Sequence, residues 1–373
     1  MNASPRVAFL TGSAADWGGG SRVLYTLLRA MDLARLQPLV LISGEGPIRE
    51  ELEVRGIRSL VWGPLTEPTN KVLYIKSLLR MMRLLRRERV EVLHVNHRFW
   101  RPAEVLAALV MRIPVLVHFH VVNRQEGSFM DRCRGAVCVS RYVAEHSLPP
   151  RLPKSVIYNP VDIERFARGV DKREDWGLEG QQVVVSYLGQ IREIKGVQDF
   201  IAMARRLPHA DVRFLVAGEC RDPKEYPGSY GIHDLNQMIG SDRRIRYVGY
   251  VRDVENLYCS SDIVVVPSRW EEPLGLISIE AGACRKAVVA TRAGGIPEVI
   301  EDGVNGLLVK PGDVDELAER VARLIGDPAL RARLGAAVRD RVEQDFTTRP
   351  VREFEALLLR EAGIAFPGIS GGT

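Results

Sequence analysis

The chain has 373 residues, 46% hydrophobic and 27% charged, with a formal net charge of +5 and an isoelectric point of about 9.0. Those proportions exclude a disordered or fibrous chain and leave room for two domains with full cores. Five cysteines, at 133, 138, 220, 259 and 284, are odd in number and lack metal-ligand spacing, which argues for a reducing compartment and against a structural metal.

The mild positive excess suits an anionic partner, whether nucleotide phosphates, anionic lipid or nucleic acid, without choosing among them. No stretch of eighteen apolar residues lacks a charge, and the N-terminus, Met1-Asn-Ala-Ser-Pro-Arg6, passes straight into a strand. Neither a spanning helix nor a signal peptide is expected, and the protein is placed in the cytoplasm. Residues 7–10 read as the first buried strand, and a small-residue loop ending in Gly18-Gly19-Gly20 precedes a helical run over 21–31, the βα turn of a doubly wound domain.

Strand and helix then alternate: strands over 39–42, 60–62 and 92–95, helices near 48–55 and 72–89, which implies a parallel sheet with helices on both faces. In the 72–89 helix, Leu73, Leu78, Leu79, Met82 and Leu85 form an apolar stripe with Lys76, Arg80, Arg83, Arg86 and Arg87 around it. The pattern reads as a core helix with a solvated basic face; the alternative is a surface for anionic lipid headgroups. A strand over 115–118 runs into Phe119-His120, and alternation puts His118 and His120 on one side, with His94 and His97 nearby. Strands over 135–139 and 155–158 complete the first sheet, and the polar segment 164–180 reads as a hinge.

The second domain opens with a strand over 183–187, then Gly189-Gln190-Ile191-Arg192-Glu193-Ile194-Lys195-Gly196 before a helix over 197–206. Strands over 214–218, ending at Glu219, and 245–248, followed by Gly249-Tyr250-Val251, come next. Residues 263–266 are a short β-branched run that Pro267 ends, because it cannot donate to a ladder. From Gly275 the pattern turns helical, so the first-turn amides point into the crevice where open α/β sheets bind ligands, and an anion would sit there.

Two carboxylates flank that helix start, Glu272 in the loop before it and Glu280 among Ile279, Ala281 and Ala283. On spacing alone they read first as a capping residue and a solvated helix residue. An apolar setting, however, calls for donors on Glu280, and a ribose diol offers two. A further strand over 286–291 delivers a second glycine loop, Arg292-Ala-Gly294-Gly295-Ile-Pro-Glu298, to the same edge, and its glycines are expected to let backbone approach a ligand closely. Helices over 317–325, 329–342 and 351–361 come after it, and the tail from 368 to 373 is low-complexity.

Taken together, Glu272, seven residues, Glu280-Ala281, then Gly294-Gly295-Ile-Pro-Glu298 and Asp302-Gly303-Val-Asn-Gly306-Leu-Leu-Val resemble the retaining glycosyltransferases of family 4, the glycosyl transferases group 1. The resemblance implies the GT-B fold: two doubly wound Rossmann-like α/β domains facing a deep interdomain cleft, with the C-terminal helix crossing back to the first domain. The implied domains are 1–163 on the acceptor side, 164–345 binding the nucleotide-sugar, and 346–373 as crossover helix and tail. Asn159-Pro160-Val161-Asp162 resembles the family's linker, with Pro160 where glycine is usual.

The resemblance also implies roles. Lys195 matches the lysine on the donor diphosphate, Gln190 stands where the family has arginine, and Arg192 is the residue that would substitute for it. Glu272 holds sugar hydroxyls, Glu280 the ribose, the amides at Gly275 and Leu276 the diphosphate, and the loop at Val251 the base. Gly19 and Gly20 belong near the donor phosphates, His120 at the donor sugar or reacting centre, and Asn96 and His97 are candidate acceptor contacts. These roles imply a metal-independent glycosyltransferase without cofactor, taking a UDP- or GDP-sugar to a glycan, lipid-linked or small-molecule acceptor in bacterial polysaccharide, lipopolysaccharide or glycolipid synthesis. An anionic membrane surface is a further expected partner, at the inner face of the membrane, and nucleic acid is not. The alternatives are a catalytically degenerate nucleotide-sugar-binding subunit and an epimerase or hydrolase on the same fold.

Overall fold

The computed structural model describes residues 4–11, 19–178 and 182–364. The glycine loop up to Gly18, the end of the 164–180 segment and the 368–373 tail therefore lie outside the described residues. The chain divides into two compact units, residues 1–160 with 348–373 and residues 161–347.

The first unit holds β1 (Arg6–Thr11), β2 (Gln37–Ile42), β3 (Arg58–Val61), β4 (Val90–Val95), β5 (Val115–Phe119), β6 (Gly135–Cys138) and β7 (Lys154–Val156). They form one sheet in the order β3-β2-β1-β4-β5-β6-β7, with every adjoining pair parallel. The second unit holds β8 (Val183–Leu188), β9 (Val212–Ala217), β10 (Ile245–Gly249), β11 (Ile263–Val266), β12 (Ala287–Thr291) and β13 (Leu307–Val309), again all parallel, in the order β10-β9-β8-β11-β12-β13. Central strands such as Ile263–Val266 and Ala287–Thr291 are buried along their whole length. That is why they read as unbroken β-branched runs rather than as alternation.

In each sheet the strand order reverses beside the first strand, between β1 and β4 in one unit and between β8 and β11 in the other. Connections leave such a point toward opposite faces, so a crevice opens at the carboxyl ends of those two strands. The loops that flank it in the second unit are 189–196 after β8 and 267–275 after β11. The core beneath is built by Tyr187, Phe200, Phe214, Val265 and Val289.

Two expectations need correction. The 164–180 segment is not a hinge: Ile163–Ala167 is helical, Arg165 makes a bidentate pair with Glu255 at 3.1 and 2.7 Å, and Arg173 reaches Asp262 at 2.9 Å, all within the second unit. Arg165 and Arg173 bind neighbouring elements instead of solvating a linker. The helix Lys71–Arg87 buries Met81, Leu84 and Leu85, whereas Leu73 and Leu79 are exposed and Leu78 and Met82 half-buried. The stripe expected from the sequence mixes two faces, because apolar residues lie all around this helix. Finally, five short helices, at Ala103–Val110, Arg141–His146, Ile163–Ala167, Ile232–Ile239 and Val254–Cys259, carry too few turns for a readable period.

The last helix, Thr348–Glu361, lies in the first unit. Its buried Phe354 packs on Phe9 and His94 with ring centroids 6.4 and 5.2 Å apart, Glu355 accepts the Asp32 amide at 2.6 Å, and Glu361 pairs with Arg134 at 2.8 Å.

Candidate active site

In the second unit the crevice is assembled by two loops that clamp each other. The Arg269 guanidinium makes a bidentate pair with the buried Asp199 at 2.7 and 2.6 Å, and the Arg269 and Trp270 amides both donate to the Ile194 carbonyl. Gly196 sits at φ +74°, and a methyl there would run into the Pro267 carbonyl, so only glycine lets the loops close this far. The clamp delivers Lys195 to Glu272, Nζ to Oε1 2.5 Å, with the lysine side chain 21% and the glutamate 12% exposed. Ser268 Oγ lies 2.9 Å from the same carboxylate oxygen, and the Lys195 ammonium also stands 4.9 Å from the centroid of the Trp270 ring.

Past Glu272 the chain enters the helix Leu276–Ala283 through Gly275 in the left-handed region at φ +84°. The first-turn amides at Leu276 and Ile277 have no acceptor inside the helix and carry the positive end of its dipole. Glu280, half-buried on that helix, accepts from the hydroxyl of the fully buried Tyr258 at 2.8 Å, so one of its donors is a protein group. Lys195, Glu272, Gly275 and Glu280 thus all belong to the loop and helix elements at the carboxyl edge of β8 and β11.

Other expected members stand differently. Arg192 does not take the place of the missing arginine: its guanidinium donates to the Pro227 carbonyl at 3.1 Å, drawn away by the bridge between Arg192 and Ser229. Gln190 is exposed, and its carbonyl accepts the Tyr187 hydroxyl at 2.8 Å. Val251 is half-buried after β10, packed on the small apolar cluster around Leu178, Leu215 and Leu257. Gly294 and Gly295 do not leave room for a ligand where a side chain would be. The carbonyls of Glu272 and Pro273 fill that space, so these glycines serve loop-on-loop packing, with the Gly295 amide donating to the Glu272 carbonyl at 2.7 Å.

In the first unit the carboxyl edge holds Gly20, Asn96, His97 and His120. Gly19 and Gly20 open the helix Gly19–Ala30, and a methyl on Gly20 would meet the His120 ring at 2.8 Å. Asn96 is 4% exposed: its Nδ2 donates to the Gly20 carbonyl at 3.1 Å, and its Oδ1 faces His120 Nε2 at 2.9 Å. Because that amide oxygen only accepts, the arrangement assigns the ring proton of neutral His120 to Nε2 and leaves a lone pair on Nδ1. His97 Nδ1 lies 2.8 Å from the Arg98 carbonyl. Behind the edge, His118 stacks on His120 at 4.1 Å and meets His94 edge-on at 5.3 Å. Burial pushes His120 down to about 4 and His94 to about 3, and holds His118 well below the ordinary range, so the row is neutral.

Among the described residues no group of three or more His, Cys, Asp or Glu could hold a metal ion, and no helix is long and apolar enough to cross a membrane. Tyr258, Ser268, Trp270 and the Arg269–Asp199 clamp escaped sequence reasoning. Ser268 and Trp270 fall within the 267–280 stretch that the sequence marks out, but the partners of Tyr258 and Arg269 come from other elements, where no spacing announces them.

The chain has relatives among known proteins. The profile of the family described as "Glycosyl transferases group 1" matches residues 170–341, and that described as "Glycosyltransferase Family 4" matches residues 17–165. A D-inositol 3-phosphate glycosyltransferase of Saccharomonospora viridis is 33% identical over 219 residues, 56% of this chain and 50% of that protein. The N-acetyl-alpha-D-glucosaminyl L-malate synthase of Bacillus anthracis is 26% identical over 295 residues, 73% of this chain and 75% of that one. The chain therefore spans half the length of the first relative and three quarters of the second. Among solved structures, a glycosyltransferase from Rickettsia africae superposes with a TM-score of 0.83 at 21% identity, covering 97% of this chain and 99% of that one. Anabaena HepE, solved with UDP and glucose, superposes with a TM-score of 0.78 at 21% identity, covering 95% and 99%. At such identity these structures speak for the fold.

Proposed function

Because the chain belongs to the group 1 glycosyltransferases of the GT-B fold, we propose that it moves a sugar from a nucleotide-sugar to an acceptor hydroxyl with retention at the anomeric carbon. The observation that carries this reading is the meeting of Lys195 with Glu272 beside the amino end of Leu276–Ala283. One crevice offers a cation and helix amides for a diphosphate, and a carboxylate for hydroxyls.

In this reading the donor takes over a contact that the protein now makes with itself. Lys195 turns from Glu272 to the diphosphate, joined by the Leu276 and Ile277 amides, and the freed carboxylate, steadied by Ser268, accepts from sugar hydroxyls. Glu280, held by Tyr258, accepts from the ribose. As the bond from the anomeric carbon to the leaving phosphate oxygen breaks, negative charge grows where Lys195 and the amides stand, and that charge is stabilised most in the transition state. The acceptor oxygen bonds to the same face, and its proton passes to the departing phosphate oxygen, so no separate base is assigned. With these groups neutralising the diphosphate, the reaction is assigned neither metal nor cofactor.

The donor is a UDP- or GDP-sugar and the acceptor a glycan, lipid-linked or small molecule, at the cytoplasmic side. Transfer followed by NMR from an α-linked donor, in the presence of EDTA, tests both finer assignments. The α-linked product should appear at the rate seen without chelator; a β-linked first product, or turnover lost to EDTA and restored by Mn²⁺, overturns them.

A further inference from the structure

The helix Lys71–Arg87 in the first unit bears Lys71, Lys76, Arg80, Arg83, Arg86 and Arg87 and not one acidic residue. Its inner face is the buried Met81, Leu84 and Leu85. Its outer face holds Val72, Ile75 and Leu79, which are 63%, 55% and 44% exposed. Spaced at i, i+3 and i+7, these three share one side of the helix, turned away from the core residues. Solvent normally faces polar side chains there, so an apolar row in the middle of an outward face calls for a partner.

The charges beside that row are available to one. Arg80 lies over the Trp62 ring at 4.1 Å and Arg87 pairs with Glu88 at 2.9 Å, but Lys76, Arg83 and Arg86 are exposed and make no ion pair among the described residues. On the helix wheel Lys76 and Arg83 border the Val72, Ile75 and Leu79 row on one side, and Arg86 continues it toward the carboxyl end. The helix is fixed to its unit through Tyr74, whose hydroxyl donates to the Arg101 carbonyl at 2.9 Å, and Ser77, 2.9 Å from the Thr66 hydroxyl. The face is therefore presented rigidly, with no ordering left to do on binding.

We propose that this face docks on an anionic lipid bilayer, the bases meeting headgroup phosphates and Val72, Ile75 and Leu79 entering the boundary with the acyl chains. Charge complementarity chooses the occupant. A second copy of the chain would set the same uncompensated bases against each other, and a phosphate ladder without lipid offers nothing to the apolar row. A bilayer with acidic headgroups supplies both halves, as it does for basic amphipathic helices that lie in the interface. The helix follows β3, whose carboxyl end shares the sheet edge with Asn96 and His120, so the apolar amino-terminal half of the helix lies toward that edge.

The test is cosedimentation of the full chain with phosphatidylcholine vesicles, alone or carrying about a third phosphatidylglycerol, at low and at high salt, where screening shortens from about 10 Å toward 3 Å. Binding should require phosphatidylglycerol and fade with salt. The triple variant Lys76→Gln, Arg83→Gln, Arg86→Gln should lower partitioning on the order of 100-fold, from about fivefold for each surface base removed. Ile75→Ser with Leu79→Ser should lower it at low salt too, where charge alone would hold. Both variants should keep the parent's circular dichroism, its melting temperature and its affinity for UDP. Equal recovery on neutral and anionic vesicles overturns the proposal, as does an unchanged serine variant. Capture by a DNA duplex that the serine variant retains gives the face to nucleic acid instead, and a dimer that the serine variant dissolves gives it to a second copy.

Discussion

Tyr258 decides which way Glu280 points. Its hydroxyl, on a fully buried ring tilted against Phe166 with centroids 6.0 Å apart, donates to Oε2 and fixes that oxygen of the carboxylate. A hydrogen bond to a charged group contributes about 1.5 to 3 kcal/mol, and a carboxylate released from it loses that much orientation. In Tyr258→Phe, affinity for UDP should fall about tenfold or more by calorimetry. Affinity for 2′,3′-dideoxy-UDP should stay near the parent's, since nothing remains for Glu280 to hold. A uniform loss for both ligands would make Tyr258 a packing residue only. Glu272, Glu280 and Lys195 were legible because the positions that matter lie within short stretches at fixed spacing. Tyr258 and Ser268 were not, because their value comes from contacts that the fold creates.

At the scale of the element, the loops of the crevice in the second unit are held by backbone closeness more than by side chains. Gly196 and Gly312 have nearly the same left-handed φ, +74° and +78°, but a side chain at 196 meets the Pro267 carbonyl while one at 312 meets nothing within 4 Å. Gly312→Ala should therefore cost only the conformational strain, about 1 kcal/mol, and Gly196→Ala that strain plus separation of two loops, at least about 3 kcal/mol. Urea midpoints measure both, and equal losses would show that the loops can part freely. The parallel sheet with its helices was readable from alternating strands and helices, whereas the strand order and the outer face of Lys71–Arg87 were not. Periodicity locates a stripe only when the rest of the helix is polar, and here Val72, Ile75 and Leu79 compete with Met81, Leu84 and Leu85.

For the whole molecule, the row of buried His94 and His118 with half-buried His120, covered by Phe354 of the last helix, ties stability to pH. In the folded chain all three are depressed, to about 3 and about 4 for His94 and His120, while in the unfolded chain they return to about 6.5. Unfolding then takes up protons below about pH 6.5, so the stability is fully present above that value and falls as pH drops toward the folded values. Each histidine adds about 1.4 kcal/mol per pH unit to the slope, in a window above the carboxylates. Urea unfolding of the first unit should weaken steeply from pH 6.5 to 5, and His94→Phe should remove about one proton from the slope; a flat profile there would contradict the buried neutral row.

The central claim is that Lys195 stabilises charge on a departing diphosphate, and the direct measurement is the turnover of Lys195→Ala against its donor affinity. A contact that strengthens as the glycosidic bond breaks should lower kcat about 100- to 1000-fold, while Kd for the nucleotide-sugar rises by less than about tenfold. Should Kd rise by the full amount with kcat unchanged, Lys195 would only bind, and the account of catalysis at this crevice would be contradicted.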